Sequence, residues 1–147
     1  MMRRWLTEPH VRAWRGDPDT ELALIDEDID DGPTDMRIVS LKGHPFAYVQ
    51  DYPAHHWPMP HYGHFPRRTR AMDTFLGDPD LLGKGHARGY LRQRSLELLA
   101  AGYPKVVIDP SPENVRAVNT YRGAGFFGEK VVPCEDGHLV IVMEFMG

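Results

Sequence analysis

The stretch that decides the fold is Asn114-Val115-Arg116-Ala117-Val118-Asn119-Thr120-Tyr121-Arg122-Gly123-Ala124-Gly125-Phe126. It lies in a predicted helix over Pro112–Ala124, with Ser111 as the N-cap and Pro112 at the first helical position. Gly125 is the residue type that most often ends a helix. The pattern N-x-x-A-x-x-x-Y-x-x-x-G-F therefore places Asn114 in the first turn of this helix, with Tyr121 further along it.

A glycine-rich turn precedes the other long helix, in Leu81-Leu82-Gly83-Lys84-Gly85-His86-Ala87-Arg88-Gly89. Glycines let the backbone approach an anion closely, and a helix N-terminus presents N–H groups to it. The turn is not a Walker loop, because five residues separate Gly77 from Gly83 and a glycine follows Lys84. It is not a dinucleotide fingerprint either, since Arg88 stands where a glycine is needed.

The other segments alternate between strand and helix patterns. Predicted helices cover Arg3–Trp14 and Gly85–Ala101, and the predicted strands are Met36–Leu41, Pro45–Asp51, Arg70–Leu76, Lys105–Ile108, Phe126–Val132 and His138–Phe145. The acidic segment Glu21–Asp31 has a partly helical apolar spacing, and Tyr52–Phe65 is predicted to be an ordered loop. This order predicts an α/β domain on a mixed sheet.

Composition bounds the class of protein. The chain has 147 residues, 41% of them hydrophobic, and indicates one globular domain over residues 1–147. The longest apolar run, Leu139–Met143, is far shorter than a membrane span. One cysteine, Cys134, fits the cytoplasm, and a formal net charge of -4 disfavours a nucleic-acid binder.

Taken together, the helix motif and the glycine turn roughly thirty residues before it resemble the GNAT N-acetyltransferase superfamily, and most of all its aminoglycoside 6'-N-acetyltransferases. Tyr48–Tyr52, Met72–Leu76 and Asp109–Pro112 resemble further pieces of those enzymes, in matching order from about residue 5 to the end. The resemblance implies a mostly antiparallel, twisted sheet flanked by helices. The family normally begins with a strand, so we expect either a misplaced start or a domain that lacks its first edge strand. A missing edge strand would leave an exposed sheet edge that a second copy could cover. Both a monomer and a homodimer therefore remain open.

The resemblance implies acetyl-CoA as donor and an amine as acceptor, and we expect no metal. The pyrophosphate of acetyl-CoA would lie on residues of the glycine turn, namely Gly83, Lys84, Gly85, His86, Ala87 and Arg88. Asn114 would bind the pantetheine arm, and backbone N–H groups of Thr74, Phe75 and Leu76 would bind the thioester oxygen. Asp80 stands where the family usually has glutamine or arginine, which weakens one pyrophosphate contact.

Two residues are candidates for the chemistry. A lysine-type amine is neutral in roughly one molecule in 2,500 at pH 7, so a base is valuable. Asp73 is the candidate base, against the alternative of a strand-end aspartate bonded to backbone. Tyr121 is the candidate proton donor to the thiolate, against simple core packing. Cys134 is a poor nucleophile candidate, which favours direct transfer in a ternary complex.

Four positions match acceptor-binding residues of the resembling enzymes: Trp14, Gln50, Tyr52 and Asp109. The acidic side chains of Asp26, Glu27, Asp28, Asp30 and Asp31 could attract a polycation, or could simply be a solvated helix face. Arg67, Arg68 and Arg70 would repel one. His55, His56, His61 and His64 could bind a metal, but the spacing favours a rigid loop wall.

The sequence thus predicts a cytoplasmic acetyl-CoA-dependent N-acetyltransferase that acts on a small-molecule primary amine, without nucleic acid or membrane partners. Two alternatives remain. One is a siderophore hydroxylamine acyltransferase, for which a base would matter little because a hydroxylamine is neutral at pH 7. The other is a non-catalytic acyl-CoA-binding domain, suggested by the short start and Asp80.

Overall fold

A computed structural model of the protein describes residues 1–31, 33–56 and 59–147, without the side chains of residues 28–31. The loop residues Trp57 and Pro58, and the side chains of Asp28, Asp30 and Asp31, lie outside that description. The packing of the chain separates two compact units, residues 1–51 with 74–86 and residues 52–73 with 87–147. None of the described helices combines the length and apolar character that crossing a bilayer requires.

The first unit opens with three helices followed by a hairpin. These elements are α1 (Met2–Thr7), α2 (Pro9–Arg15), α3 (Pro18–Asp31), β1 (Asp35–Leu41) and the start of β2 (His44–Pro53). The predicted single helix over Arg3–Trp14 is wrong, because Glu8 adopts an extended conformation (φ -60°, ψ 133°). Pro9 explains the break, since a proline disfavours helical geometry in the residue before it.

The hairpin between β1 and β2 forms where the sequence predicts it. Lys42 and Gly43 both have positive φ, 51° and 82°, which is the geometry of a two-residue turn between antiparallel strands. The core of this unit is made of aromatic and aliphatic side chains, and contains Trp5, Leu6, Val11, Ile25, Tyr48 and Phe75. It anchors α1 and α2 beside the end of β3.

The remaining elements are β3 (Arg70–Leu76), α4 (His86–Ala100), β4 (Val106–Ile108), α5 (Val115–Ala124), β5 (Phe126–Phe127), β6 (Val131–Pro133), β7 (Leu139–Ile141) and β8 (Met143–Phe145). Helix α5 begins three residues later than predicted, because its N-cap is Asn114 rather than Ser111. The Asn114 side chain accepts a hydrogen bond from the Ala117 N–H at 3.2 Å. Gly125 ends the helix in the left-handed conformation, as predicted.

Six strands form one sheet in the order β1-β2-β3-β4-β8-β5, and β6 pairs with β7 in a second sheet. β3 and β4 are parallel, whereas β1–β2, β4–β8 and β5–β8 are antiparallel. The fold is therefore the predicted mixed, mostly antiparallel sheet with helices. The predicted strand Phe126–Val132 is divided at Gly128 into β5 and β6. A Cβ added at Gly128 would lie 2.1 Å from the Val142 carbonyl oxygen.

The second unit has its own core, into which the loop after β2 folds. Tyr52, Ala54, Tyr62, Ala71 and Val107 are buried together. The Ala54 N–H donates to the Thr69 carbonyl at 2.9 Å, which ties the two ends of the loop. The predicted ordered loop begins later than expected, since β2 continues to Pro53 and Pro60–Tyr62 form a 3-10 turn.

Candidate active site

Two carboxylates lie near each other on the parallel strands, Asp73 in the middle of β3 and Asp109 directly after β4. Arg70 is opposite Val106 and Ala71 opposite Val107, so the same offset carries Asp73 to the level of Asp109. Burial is the main factor that raises the pKa of Asp109, and the charge of Asp73 raises it further. Such a pair can attract a cationic amine and accept a proton from it.

Asp109 is held by a histidine that the sequence analysis did not connect with it. His61 Nε2 lies 2.9 Å from Asp109 Oδ2, and the His61 side chain is fully buried. On its other side, His61 Nδ1 lies 3.8 Å from Glu135 Oε2. The hydrogen bond from His61 opposes the rise in the pKa of Asp109. No sequence signal could have found this contact, because it joins positions 48 residues apart without periodicity.

Two tyrosines line the same part of the second unit. Tyr62 stacks on His61 with ring centroids 4.1 Å apart. Its buried hydroxyl lies near Asp109 but makes no hydrogen bond of good geometry within the described ranges. Burial first, and the charge of Asp109 second, raise the pKa of Tyr62 well above its ordinary value. Tyr52, a predicted acceptor contact, is buried beside it, with 8% of its surface exposed.

The other predicted acceptor contacts, Trp14 and Gln50, belong to the first unit, whereas Tyr52 and Asp109 belong to the second. Trp14 is half exposed on α2. Gln50 on β2 accepts a hydrogen bond from the Tyr48 hydroxyl. Each unit therefore carries two of the four predicted acceptor contacts.

The predicted donor-binding turn has the conformation that its glycines suggest. Gly83 and Gly85 have φ of 73° and 81°, and nothing lies within 4 Å of a Cβ added at either position. Lys84 is exposed between them, and α4 begins directly after the turn at His86. An exposed, left-handed glycine turn before a helix N-terminus suits a phosphate-bearing ligand.

The predicted contacts on α4 differ in their surroundings. His86 is half-buried, and its ring lies 5.4 Å from that of Phe46. Ala87 is half-buried and Arg88 is exposed. The Arg88 guanidinium lies over Gly123 of α5, where an added Cβ would be 2.4 Å from Arg88 Nε. The absence of a side chain at Gly123 thus leaves room for the Arg88 guanidinium.

The end of β3 is fixed by side chains that sequence reasoning missed. Arg15 of α2 donates to the Thr74 carbonyl at 2.8 Å, and the His10 ring lies 2.7 Å from the Leu76 carbonyl. The Thr74 hydroxyl donates to the Tyr48 carbonyl at 2.7 Å, and Phe75 is buried in the first core. These bonds engage carbonyls and a hydroxyl, so the predicted role of the N–H groups stays a prediction.

The two functional candidates on α5 occupy different environments. Tyr121 is buried, with 9% of its surface exposed, and its ring centroid lies 6.4 Å from that of Phe126. Asn114 is half-buried, and its side-chain oxygen caps α5. The prediction that Asn114 lies within the first turn of this helix is therefore wrong, because Asn114 is the N-cap. Its cap uses the amide oxygen, which leaves the amide nitrogen as a donor.

Two of the three arginines that were expected to repel a polycationic acceptor contact an aromatic ring instead. Arg68 and Arg70 both lie over the Tyr103 ring, at 4.9 and 5.3 Å from its centroid, and Arg70 is buried. Arg67 is exposed, as are Asp26 and Glu27 of the acidic segment. Two of the three arginines are thus engaged with an aromatic face.

Neither the Cys134 thiol nor the loop histidines have surroundings that suit a nucleophile or a metal site within the described ranges. Cys134 Sγ lies 2.8 Å from Asp136 Oδ1, and burial raises the pKa of the thiol, which makes it a weaker nucleophile at neutral pH. The described ranges contain no group of three His, Cys, Asp or Glu side chains placed to hold a metal. His55 instead bonds the Phe65 carbonyl at 2.9 Å.

The whole chain resembles proteins of known activity. Residues 1–133 match the family described as an acetyltransferase (GNAT) domain. The chain is 30% identical to the aminoglycoside N(6')-acetyltransferase type 1 of Klebsiella pneumoniae, over 98% of this chain and 76% of that protein. A solved aminoglycoside acetyltransferase in complex with coenzyme A and kanamycin superposes with a TM-score of 0.81 at 27% identity, covering 98% of this chain and 86% of that one. A complex with ribostamycin and coenzyme A gives 0.82 at 29% identity, covering 98% and 85%.

Proposed function

The chain belongs to the GNAT acetyltransferases, and from that premise we propose that it moves the acetyl group of acetyl-CoA to a primary amine of an aminoglycoside. The observation that carries the choice of acceptor is the pair of adjacent carboxylates, Asp73 and Asp109. Two neighbouring carboxylates attract a polycationic sugar electrostatically, whereas they do not attract a neutral acceptor. The names of the related enzymes support the same acceptor class.

Amine activation is the first requirement of this reaction. An aliphatic ammonium must lose a proton before its nitrogen can attack, which costs about 4.6 kcal/mol at pH 7 when its pKa is near 10.4. Asp73, half-buried on β3, is the proposed base, directly or through a water molecule. Asp109 then holds the second charge of the acceptor. Trp14, Gln50 and Tyr52 are the further proposed acceptor contacts.

Acetyl-CoA is proposed to bind along the turn and the first residues of α4. The left-handed glycines and the exposed Lys84 suit its pyrophosphate. Gly83, Lys84, Gly85, His86, Ala87 and Arg88 form this proposed contact set. The Asn114 amide would bind the pantetheine arm, and N–H groups of Thr74, Phe75 and Leu76 would stabilise negative charge on the thioester oxygen.

The transfer itself balances without an enzyme-bound acyl group. The neutral amine attacks the thioester carbon, the new N–C bond forms, the C–S bond breaks, and the released thiolate takes a proton from Tyr121. Asp73 releases the first proton to solvent before the attack, so it can take the second proton that the amine nitrogen loses, and Tyr121 regains its proton from solvent. The raised pKa of Cys134 supports direct transfer, because a protonated thiol does not compete as a nucleophile.

The proposal is tested by thiol release from acetyl-CoA with tobramycin, beside N6-hydroxylysine (a hydroxylamine), a polyamine and a lysine peptide. We expect rapid release with tobramycin and a monoacetylated product of matching mass. Release only with the hydroxylysine would favour hydroxylamine acylation. No release with any acceptor, together with a rise in melting temperature on adding acetyl-CoA, would indicate a binding domain and contradict the proposal.

A further inference from the structure

One buried imidazole in the second unit lies between two carboxylates. His61 Nε2 bonds Asp109 Oδ2 at 2.9 Å, and Nδ1 lies 3.8 Å from Glu135 Oε2. Nδ1 itself is buried and makes no hydrogen bond to any residue that the structure describes. A side chain that only fills space would not leave a buried nitrogen unpaired, because an aromatic hydrocarbon ring of similar size avoids that penalty. We conclude that His61 is present to donate a hydrogen bond to Asp109 and not only to fill space.

The imidazole has little freedom to move. It belongs to the 3-10 turn Pro60–Tyr62, in which the Tyr62 N–H donates to the Met59 carbonyl at 2.9 Å and the Gly63 N–H to the Pro60 carbonyl at 3.1 Å. The ring packs on Tyr62 at 4.1 Å, and Tyr62 is fully buried. His61 is thus a rigid donor at a fixed place.

Asp109, by contrast, needs an external support. It lies directly after β4, a strand of only three residues, and a quarter of its side chain is exposed. A carboxylate that receives an ammonium group must present one oxygen in a defined direction, and the bond from His61 to Oδ2 orients Oδ1. Hydrogen bonds to a charged partner are the strong ones, so this support is substantial.

We infer that His61 is a positioning residue for the acceptor, which acts by holding the Asp109 carboxylate in the orientation that receives an ammonium group of the aminoglycoside. The inference rests on the proposed function. It assigns to the histidine-rich loop a role in acceptor specificity. His61 lies in the turn Pro60–Tyr62, an element that carries no part of the proposed donor site.

The test compares three variants of the full chain by steady-state kinetics with tobramycin and acetyl-CoA. His61→Gln places an amide N–H near the position of Nε2, whereas His61→Asn places it near Nδ1, and His61→Phe removes the donor. We expect His61→Phe and His61→Asn to raise the KM for tobramycin by roughly 10- to 100-fold, with the KM for acetyl-CoA within about twofold. His61→Gln is expected to restore most of the loss.

A second arm combines each variant with Asp109→Asn. If His61 acts through Asp109, the double variant has the same KM for tobramycin as Asp109→Asn alone. Equal losses on both backgrounds, an unchanged KM in His61→Phe, or a parallel loss of acetyl-CoA affinity and melting temperature in all three variants would overturn the inference. Absence of wild-type turnover has a different signature, since it contradicts the proposed function and the inference with it.

Discussion

At the residue scale, Asp73 separates the two reactions that the fold could perform. Asp73→Asn keeps the size of the side chain and removes the base, so we expect kcat with tobramycin to fall by about 10²- to 10⁴-fold. Acetyl-CoA binding, measured by the rise in melting temperature that acetyl-CoA causes, should not change. A hydroxylamine acceptor is the control, because it is already neutral at pH 7 and should lose little. Full activity of Asp73→Asn with tobramycin would exclude Asp73 as the base.

Tyr121 offers an independent check of the proton donor. Tyr121→Phe removes the hydroxyl and leaves the buried ring that packs near Phe126, so folding should be preserved. We expect single-turnover transfer to slow while acetyl-CoA affinity, measured by calorimetry, stays at the wild-type value. A variant with the wild-type rate would reduce Tyr121 to a packing residue.

Asp109 links the site to stability through its raised pKa. Burial raises this pKa above the ordinary value of 3.8, with the His61 hydrogen bond opposing the rise. The folded state therefore binds the proton more tightly than the unfolded state, and the contribution of Asp109 to stability falls as pH rises through its folded pKa. Asp109→Asn has no such titration. The stability of Asp109→Asn relative to wild type is expected to increase between pH 3.5 and pH 7.

The measurement is chemical denaturation of both proteins at several pH values in that interval, each with the same denaturant. Because the variant also loses a partner of His61, the comparison is repeated with His61→Gln present in both proteins, so that the histidine contributes nothing to the difference. The slope against pH is therefore the informative quantity. A difference that stays constant, or that decreases with pH, would contradict the raised pKa.

At the element scale, Asn114 has two separable tasks at the start of α5. Its oxygen caps the helix by accepting from the Ala117 N–H, and its amide nitrogen is the proposed pantetheine contact. Asn114→Ser keeps a good cap and removes the amide, whereas Asn114→Ala removes both. We expect Asn114→Ala to lose about 1 kcal/mol of stability, and Asn114→Ser to stay near wild type.

The KM for acetyl-CoA should rise in both Asn114 variants. Denaturation and acetyl-CoA titration of the same samples provide the two measurements. A serine variant with wild-type acetyl-CoA affinity would show that Asn114 serves the helix alone.

The elements also show which parts of the site a sequence can predict. β3 was predicted over Arg70–Leu76, as the structure has it, because its apolar pattern is local. The predicted start of α5 is wrong because Ser111 and Asn114 are both good N-cap residues. The choice between them depends on local backbone geometry, in which the Asn114 N–H donates to the Ser111 carbonyl. The His61–Asp109 contact was beyond sequence reasoning, because it is made only by tertiary packing.

For the whole molecule, two motifs predicted more than the element patterns did. The glycine turn and the α5 motif indicated the GNAT family, which the family match over residues 1–133 confirms. Element patterns alone predicted a mixed sheet but not that β8 lies between β4 and β5. That order comes from pairing between segments far apart in the sequence, Val107 with Glu144 and Phe126 with Phe145, which no local periodicity encodes.

The charge of the whole molecule makes a prediction about how the acceptor arrives. The formal net charge is -4. The second unit places the charges of Asp73 and Glu135 near Asp109, while Arg68 and Arg70 face Tyr103. Charges of this kind act over the Debye length, which shortens from about 30 Å at 0.01 M salt to about 10 Å at 0.1 M. We therefore expect kcat/KM for a polycationic aminoglycoside to fall by about tenfold over that range.

The matched control is an acceptor with a single amine, whose kcat/KM should fall far less, measured in the same buffers with acetyl-CoA saturating. Acetyl-CoA is itself anionic, and its proposed site includes Lys84, so its KM is measured separately to keep donor effects apart. Equal salt dependence for the two acceptors would mean that the carboxylates contact only the reacting amine. In that case charge would orient the acceptor after it binds, without steering its approach.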